Sequence, residues 1–373
     1  MKCDVLVVGA GPAGSMAAKT AAEKGVDVIL IERNKEIGYP VRCAEGINKF
    51  LFQDTGINKD DSFIQQKIDG TKIYFYDEIY ELNSDQWKGF TVDRTIFDKY
   101  LAKLAENAGA KLLCETKAVG MKKEVNSWDI KVDTKNDFKK ISAKIVIGAD
   151  GYESNVGRWV GIKNPWKDYE VCKCYELFLK CPNISENDKF HIAFGEEFSG
   201  GYAWIFPKKK KANVGVGISK KNNAIDALEY FINKYPGIQK ILGDNFSTIE
   251  RRGGGIPMNG PIKIDELVTD GILLVGDAGG MVDPITGEGI TPSMISGISA
   301  GETAFECIEK QTWKKTDLKN YYKNLTNKPY MNTTFGENMD ALKNMKNTFN
   351  SLFSKKTSKD KRKEFISMIE ELT

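Results

Sequence analysis

The run Gly9-Ala10-Gly11-Pro12-Ala13-Gly14 constrains this chain more than any other feature of it. Such a run has structural meaning only where a buried strand passes straight into a helix. The first glycine then permits the tight turn, the second lets the backbone approach a pyrophosphate, and the third lets helix and sheet pack closely. The flanking residues meet that condition. Residues 3–8 form a short apolar run suited to a parallel strand covered on both faces. Residues 12–24 read as a helix with Pro12 in its first turn, where the missing N–H costs nothing, and Gly25 stops it. Residues 26–31 are a second strand, ending at Glu32. Residues 2–32 are therefore one strand–helix–strand unit whose helix N-terminus offers N–H groups and a positive dipole end to phosphates. Glu32 is placed to accept hydrogen bonds from ribose hydroxyls and to repel a 2′-phosphate. The pattern does not by itself choose between FAD and NAD.

Little else of this style recurs until residues 271–289. There Leu273-Leu274-Val275-Gly276-Asp277-Ala278 reads as a strand running into a turn with a carboxylate at its C-terminal end, the edge where ligands sit in open α/β sheets. Asp277 suits the ribityl hydroxyls of a flavin. Residues 284–289 lead into a helix over about 287–309, whose N-terminus would face the flavin pyrimidine edge or a phosphate. An ordinary strand-to-helix turn accounts for the same residues without a ligand.

Between these segments the pattern alternates. Residues 73–92 are strand-like and aromatic, 95–109 fit an amphipathic helix, and 111–115, 128–132 and 144–147 read as strands. The stretch 170–218, rich in Tyr, Phe, Val and Ile, favours an antiparallel sheet, and a helix is expected over 223–235. From residue 314 onward the chain is polar and helical, with a basic run at 355–363. Lys plus Arg number 54 against 51 Asp plus Glu, so no nucleic-acid partner is expected. Seven scattered cysteines, without zinc spacing or disulfide density, point to a reducing, cytosolic compartment. No apolar run approaches the roughly 18 residues of a membrane span, so any membrane contact is expected to be peripheral. Cys172 and Cys174, two apart on one strand, face the same side and suit packing better than ligation. His191, the one histidine, sits in a strand pattern and is not expected to be catalytic. The run 208–211 reads most simply as a solvated hairpin turn, with an anionic surface or substrate phosphate as the sharper alternative.

Three segments carry a resemblance. The opening glycine run, the Gly148-Ala149-Asp150-Gly151 turn with Ser154 and Arg158 after it, and Gly276-Asp277-Ala278 resemble the three fingerprints of the flavoprotein monooxygenase superfamily, in the same order over residues 1 to about 310. Two more, Tyr39-Pro40-Val41-Arg42-Cys43-Ala44-Glu45-Gly46 and Tyr202-Ala203-Trp204-Ile205-Phe206-Pro207, resemble the geranylgeranyl reductase family. The resemblance implies an α/β fold with a Rossmann-like FAD-binding domain of the p-hydroxybenzoate hydroxylase type, an inserted antiparallel β-sheet substrate domain and a C-terminal helical region. The expected boundaries are 1–70, 93–165 and 250–310 for the discontinuous FAD domain, 71–92 and 166–249 for the substrate domain, and 311–373 for the helical region.

It further implies FAD as cofactor and saturation of isoprenoid double bonds, on geranylgeranyl diphosphate or on digeranylgeranylglycerol phospholipid. FAD contacts would come from Gly9, Gly11, Pro12, Ala13, Gly14, Glu32, Arg33, Arg42, Cys43, Ala44, Arg94, Asp150, Gly151, Asp277, Gly287, Gly289 and Ile290. Cys43 and Glu45 would flank the isoalloxazine and substrate as the catalytic pair, and Tyr202, Trp204, Phe206 and Pro207 would line a lipid cavity. No metal is implied. Each residue has a plainer account: a small buried Cys43, an Arg94 that starts a helix with an ion pair, an Asp150 that caps one. With only one dinucleotide fingerprint, the electron donor is left among transient NAD(P)H, ferredoxin and a deazaflavin. A flavin monooxygenase or halogenase, or an electron-transferring flavoprotein, shares the FAD segments and is the competing reading.

Overall fold

The computed structural model describes residues 1–135, 137–162, 166, 170–218, 223–258, 264–284, 286–331 and 357–371. The chain divides into two compact units built from interleaved segments: residues 1–40, 95–167 and 257–340 in the first, and 41–94, 168–256 and 341–373 in the second. These limits cut the chain differently from the sequence-drawn ones. Residues 41–70 cluster with the β-rich unit, and the C-terminal stretch is shared, up to 340 with the first unit and beyond it with the second. Part of that stretch, 332–356 with Lys355 and Lys356 of the basic run, lies outside the described residues.

The first unit is organised on a parallel sheet. Lys2–Val8 lies in the middle, paired in parallel with Phe138–Gly148 on one side and Val28–Ile31 on the other. Ile272–Leu274 extends the first side and Lys111–Leu113 the second, both in parallel. Val5, Leu6, Val7, Ile145, Val146 and Ile147 have no exposed surface, as expected of strands covered on both faces. The helices Pro12–Glu23 and Ile290–Glu309 pack together because Gly297 and Gly301 let their backbones approach. A Cβ on Gly297 would stand 2.1 Å from the Ala13 carbonyl oxygen, and one on Gly301 2.7 Å from that of Ala17. Asn320–Thr326 then packs on the outer helix, where Asn324 Nδ2 donates to Thr303 Oγ1 at 3.0 Å.

The second unit is built on a seven-stranded sheet in the order Ser247–Pro257, Val171–Lys180, Lys211–Ile218, Tyr202–Lys208, Phe190–Phe194, Thr71–Phe75, Glu78–Leu82. It is not antiparallel throughout: Phe190–Phe194 runs parallel to Thr71–Phe75, a pairing made possible by the long chain excursion between them. A smaller antiparallel sheet joins Gly46–Asn48 and Ile64–Ile68 to Gly89–Val92. The helix Ala224–Lys234, capped by Asn223, covers one face of the large sheet with Leu228, Phe231 and Ile232 against Leu179, Val214 and Val216. The helix Lys359–Glu371 belongs to this unit: Phe365 and Ile366 join Ile73, Phe75 and Phe194, and Arg362 pairs with Glu78 at 2.8 Å. His191 sits within the sheet, its Nδ1 2.9 Å from Tyr74 Oη and its Nε2 3.1 Å from the Glu186 carbonyl. Burial pulls it down to about 4. A base with a depressed folded-state pKa contributes stability above its ordinary value of 6.5 that is lost as pH falls toward 4. Thermal melts of wild type are therefore expected to drop across that window more steeply than those of His191→Gln; parallel curves would contradict the assignment.

Candidate active site

In the first unit, the separated glycine turns converge. Gly9 takes a φ of 105°, and a Cβ there would lie 2.4 Å from the Ala149 carbonyl oxygen, which brings the turn at 148–151 against the first fingerprint. A Cβ on Gly14 would stand 1.8 Å from the Gly9 carbonyl oxygen, so only glycine lets the helix start this close to the strand. A Cβ on Gly11, by contrast, would meet nothing within 4 Å. The backbone beside the helix N-terminus is thus open where a pyrophosphate would approach, with the N–H groups of the first turn unused by the helix itself. Gly276, at φ 58°, lies against the first fingerprint, since a Cβ on it would stand 2.9 Å from Ala13 Cβ, and Ser296 Oγ accepts from its N–H at 2.9 Å. Asp277 Oδ1 is 3.7 Å from where a Cβ on Gly289 would sit, next to the start of the Ile290–Glu309 helix. Open glycine backbone at a helix N-terminus, with carboxylates on either side, fits an FAD adenosine diphosphate and ribityl chain.

Two of the acidic residues have a role within the protein as well. Glu32 Oε2 accepts from the Ala10 N–H at 3.0 Å and Oε1 from the Asn34 N–H at 2.9 Å, which fixes the carboxylate at the strand end. Both Asp150 oxygens accept at the start of Asn155–Trp159, from Ser154 Oγ at 2.6 Å and from the Asn155 and Val156 N–H groups at 2.7 and 3.1 Å. Asp150 is thus a helix cap here. Gly151 and Gly287 take φ values of 82° and 73° in their turns, Ile290 is buried, and Arg33 is exposed beyond the strand.

The second unit holds a different kind of site, on the face of its large sheet opposite the Ala224–Lys234 helix. Residues directly opposite one another on paired strands share a face. The register sets Tyr202, Trp204, Phe206 and Lys208 across from Gly217, Gly215, Asn213 and Lys211, which in turn face Cys174, Glu176, Phe178 and Lys180. Gly215 lets Trp204 lie over the middle strand, since a Cβ on it would stand 2.4 Å from Trp204 Cζ2, and Gly217 makes room for Cys172, whose Sγ would be 2.9 Å from a Cβ there. Trp204 Nε1 donates to Asn213 Oδ1 at 2.8 Å, and Asn213 Nδ2 donates to the Cys43 carbonyl at 3.2 Å. The resemblance-derived loop and the aromatic strand are thereby tied together. Pro207, one residue out of phase, belongs to the other face; its carbonyl accepts from Thr91 Oγ1 at 2.7 Å.

Glu45 is the hub of this face. It sits in the left-handed region at φ 67°, and its side chain is 2 % exposed. Oε2 pairs with Lys208 Nζ at 2.5 Å and with Arg252 Nη1 at 3.0 Å, while Oε1 accepts from the Arg94 N–H at 3.0 Å. Arg252 is held further by Glu250 at 2.8 Å and lies over the Phe178 ring. Lys208 is 4 % exposed, so the expectation of a solvated hairpin fails at its first residue, although Lys209 and Lys210 are exposed as expected. The reason is strand alternation, which carries Lys208 to the same face as Phe206. Burial pulls the Lys208 ammonium below its ordinary value, opposed by Glu45. Cys43 is half-buried and its Sγ accepts from the Glu45 N–H at 3.2 Å; burial pushes the thiol up, against Arg94, so it stays protonated at neutral pH. Ala44 is half-buried, and Arg42 is exposed beside Gly254. Arg252, Asn213 and Glu176 were missed by the sequence reading, and Lys208 was noticed only as part of a lysine run. The available signal was parity: Cys172, Cys174 and Glu176 recur every second residue, as do Tyr202, Trp204, Phe206 and Lys208. Among the described residues no group of three or more His, Cys, Asp or Glu side chains is arranged to hold a metal ion, and no helix is long and apolar enough to cross a membrane.

The fold and the glycine cradle define a flavoprotein of the FAD-binding type, and the FAD binding domain family matches residues 2–303. The chain belongs to that family and, within it, to the digeranylgeranylglycerophospholipid reductases. The enzyme of that name from Methanocaldococcus jannaschii is 39 % identical, over 88 % of this chain and 83 % of the relative. The one from Methanosarcina acetivorans is 40 % identical over 94 % and 85 %. Among solved structures, a geranylgeranyl bacteriochlorophyll reductase-like protein from Thermoplasma acidophilum superposes with a TM-score of 0.81 at 31 % identity, covering 100 % of this chain and 99 % of that one. The flavin-dependent brominase Bmp2 superposes with a TM-score of 0.75 at 18 % identity, over 99 % and 94 %, a likeness of fold alone.

Proposed function

We propose that this chain is an FAD-dependent reductase that saturates the C=C bonds of geranylgeranyl chains on a digeranylgeranylglycerophospholipid, in the assembly of archaeal-type ether lipids. Membership in the reductase family over most of the chain is the observation that carries this reading. Reduced FAD supplies the hydride for such a reaction. The residues proposed to hold the cofactor are Gly9, Gly11, Pro12, Ala13 and Gly14 at the pyrophosphate, Glu32 and Arg33 at the adenosine ribose, and Asp277, Gly287, Gly289 and Ile290 at the ribityl chain and flavin ring. Arg42, Ala44, Arg94, Asp150 and Gly151 complete the proposed contacts.

Tyr202, Trp204 and Phe206 give an isoprenoid chain an aromatic wall. The indole, fixed by Asn213, and the Phe206 ring, 4.4 Å from that of Phe190, are rigid enough to hold a double bond in one orientation and to keep water from it. Cys43 and Glu45 are proposed to stand beside the reacting carbons: Cys43 as a neutral thiol, and Glu45 as the charge that keeps Lys208 and Arg252 in place. Electrons come from ferredoxin, NAD(P)H or a deazaflavin. The lipid is met peripherally at the cytoplasmic membrane face, with exposed Lys209 and Lys210 among the cations that meet anionic headgroups.

Anaerobic incubation of the dithionite-reduced holoprotein with geranylgeranyl diphosphate and, separately, with the unsaturated ether phospholipid tests the assignment. Mass spectrometry should show a gain of about two mass units for each bond saturated, from hydride plus proton. Unchanged lipid with full flavin occupancy, or oxygen from labelled dioxygen in the product, would falsify it in favour of a monooxygenase.

A further inference from the structure

Saturating an alkene consumes a proton as well as a hydride, and one carboxyl group on the aromatic face, next to Asn213, has no part in the Glu45 ion-pair cluster. Glu176 lies between Cys174 and Phe178 on the strand Val171–Lys180 and is 3 % exposed. Its Oε1 has no hydrogen-bond partner among the described residues. A buried carboxylate with an unfilled acceptor is costly, whereas the neutral acid is much less so. The nearby cations are already engaged, since Lys208 and Arg252 both pair with Glu45 and Arg252 also with Glu250. The groups facing it from the surrounding elements are Arg252, Glu45 and Lys208 together with Asn213, Cys43 and its neighbour Cys174. Burial, opposed by Arg252 and reinforced by Glu45, pushes its carboxyl up to about 7. A proton donor poised at neutral pH has this property.

Its placement points the same way. Glu176 is directly opposite Gly215, which is directly opposite Trp204. Because Gly215 has no side chain, nothing on the middle strand stands between the carboxyl and the indole: a Cβ there would be 2.8 Å from Glu176 Cβ and 2.4 Å from Trp204 Cζ2.

We propose that Glu176 is the proton donor for alkene saturation, delivering the proton from its buried Oε1 to the isoprenoid chain held against Trp204. The inference rests on the reductase reading above. In each saturation the π bond breaks and two C–H bonds form. One carbon receives hydride from the reduced flavin, which is thereby oxidised by two electrons. The other receives the Glu176 proton, leaving a carboxylate beside Arg252 that takes a new proton from water before the next turnover.

The test compares wild type, Glu176→Gln and Glu176→Asp as FAD-loaded, dithionite-reduced protein under anaerobic conditions, with geranylgeranyl diphosphate and with the unsaturated ether phospholipid. Wild type should lose rate as pH rises through about 7. Glu176→Gln should be about 100-fold slower or worse and lose that limb, while binding FAD with an unchanged flavin spectrum. Glu176→Asp should recover part of the rate. Infrared spectra of wild type at acidic pH should contain a protonated-carboxyl band that shifts in D2O and is absent from Glu176→Gln. Wild-type rate and pH profile retained in Glu176→Gln overturn the inference. So does a wild-type profile flat across the neutral range, a result that does not depend on any variant folding. Wild type that leaves both lipids unchanged with FAD bound sinks the reductase reading instead, and so is told apart.

Discussion

Glu45→Ala is expected to destabilise the second unit by about 3–5 kcal/mol, the cost of removing one partner from a buried ion pair. The substitution takes the ion-pair partner from Lys208, with Asp93 the remaining acid that acts on it from nearby, leaves Arg252 paired with Glu250, and strips the Arg94 N–H of this acceptor. Both cations are at least nine-tenths buried, so water cannot take the carboxylate's place without opening the face. Adding Lys208→Met to Glu45→Ala should return part of the loss, because the orphaned ammonium goes with it. Urea titration followed by tryptophan fluorescence measures the effect. A Glu45→Ala loss below about 1 kcal/mol, the range of exposed pairs, would mean that the cluster is solvated and that Glu45 is not its hub.

The second large effect belongs to the other unit. Gly14→Ala places a methyl group 1.8 Å from the Gly9 carbonyl oxygen and 3.1 Å from Ala149 Cβ, neither of which is the free end of a flexible side chain. Overpacking of this sort costs roughly 1–3 kcal/mol. Here the strain falls on the turn that presents its N–H groups to the pyrophosphate, so it should appear as an FAD affinity weaker by about one to two orders of magnitude. Flavin fluorescence quenching on titration of the apoprotein measures it. Gly11→Ala is the useful contrast. A Cβ there meets no protein atom within 4 Å, so apoprotein stability should be retained while FAD, whose phosphates need that space, is lost. Equal FAD affinity in Gly11→Ala and wild type would remove the cradle from the cofactor.

How much of this was legible in the sequence depended on the range of the interactions. The first strand, turn and helix were readable because their determinants are local: an apolar run, glycines at fixed offsets and a proline at the helix start. The helix expected at 95–109 spans Arg94–Asn107, and that expected at 223–235 spans Ala224–Lys234 with Asn223 as its cap. The convergence of the three fingerprints was legible only through resemblance, since no spacing rule says that Gly276 comes to lie against Ala13. The charged face was largely illegible. Four consecutive lysines look like a turn, and only the period-two row from Tyr202 through Trp204 and Phe206 shows that Lys208 continues a strand into the interior. Arg252, in a glycine-rich run, gave no local sign of a partner 207 residues away. The parallel pairing of Phe190–Phe194 with Thr71–Phe75 was equally hidden, because a strand's own residues do not fix the direction of a distant neighbour.

The interleaving of the two units has a consequence for synthesis. Lys2–Val8 is made well before one of its sheet neighbours, Phe138–Gly148, and the strand beyond that, Ile272–Leu274, appears only after a long stretch of the other unit has been translated. The helix that seals one end of the β-rich sheet, Lys359–Glu371, comes later still. Neither hydrophobic core can therefore close on the ribosome in the order its segments emerge. The nascent chain must carry unfinished apolar strand edges for most of its translation, the condition under which chaperones are needed and aggregation competes with folding.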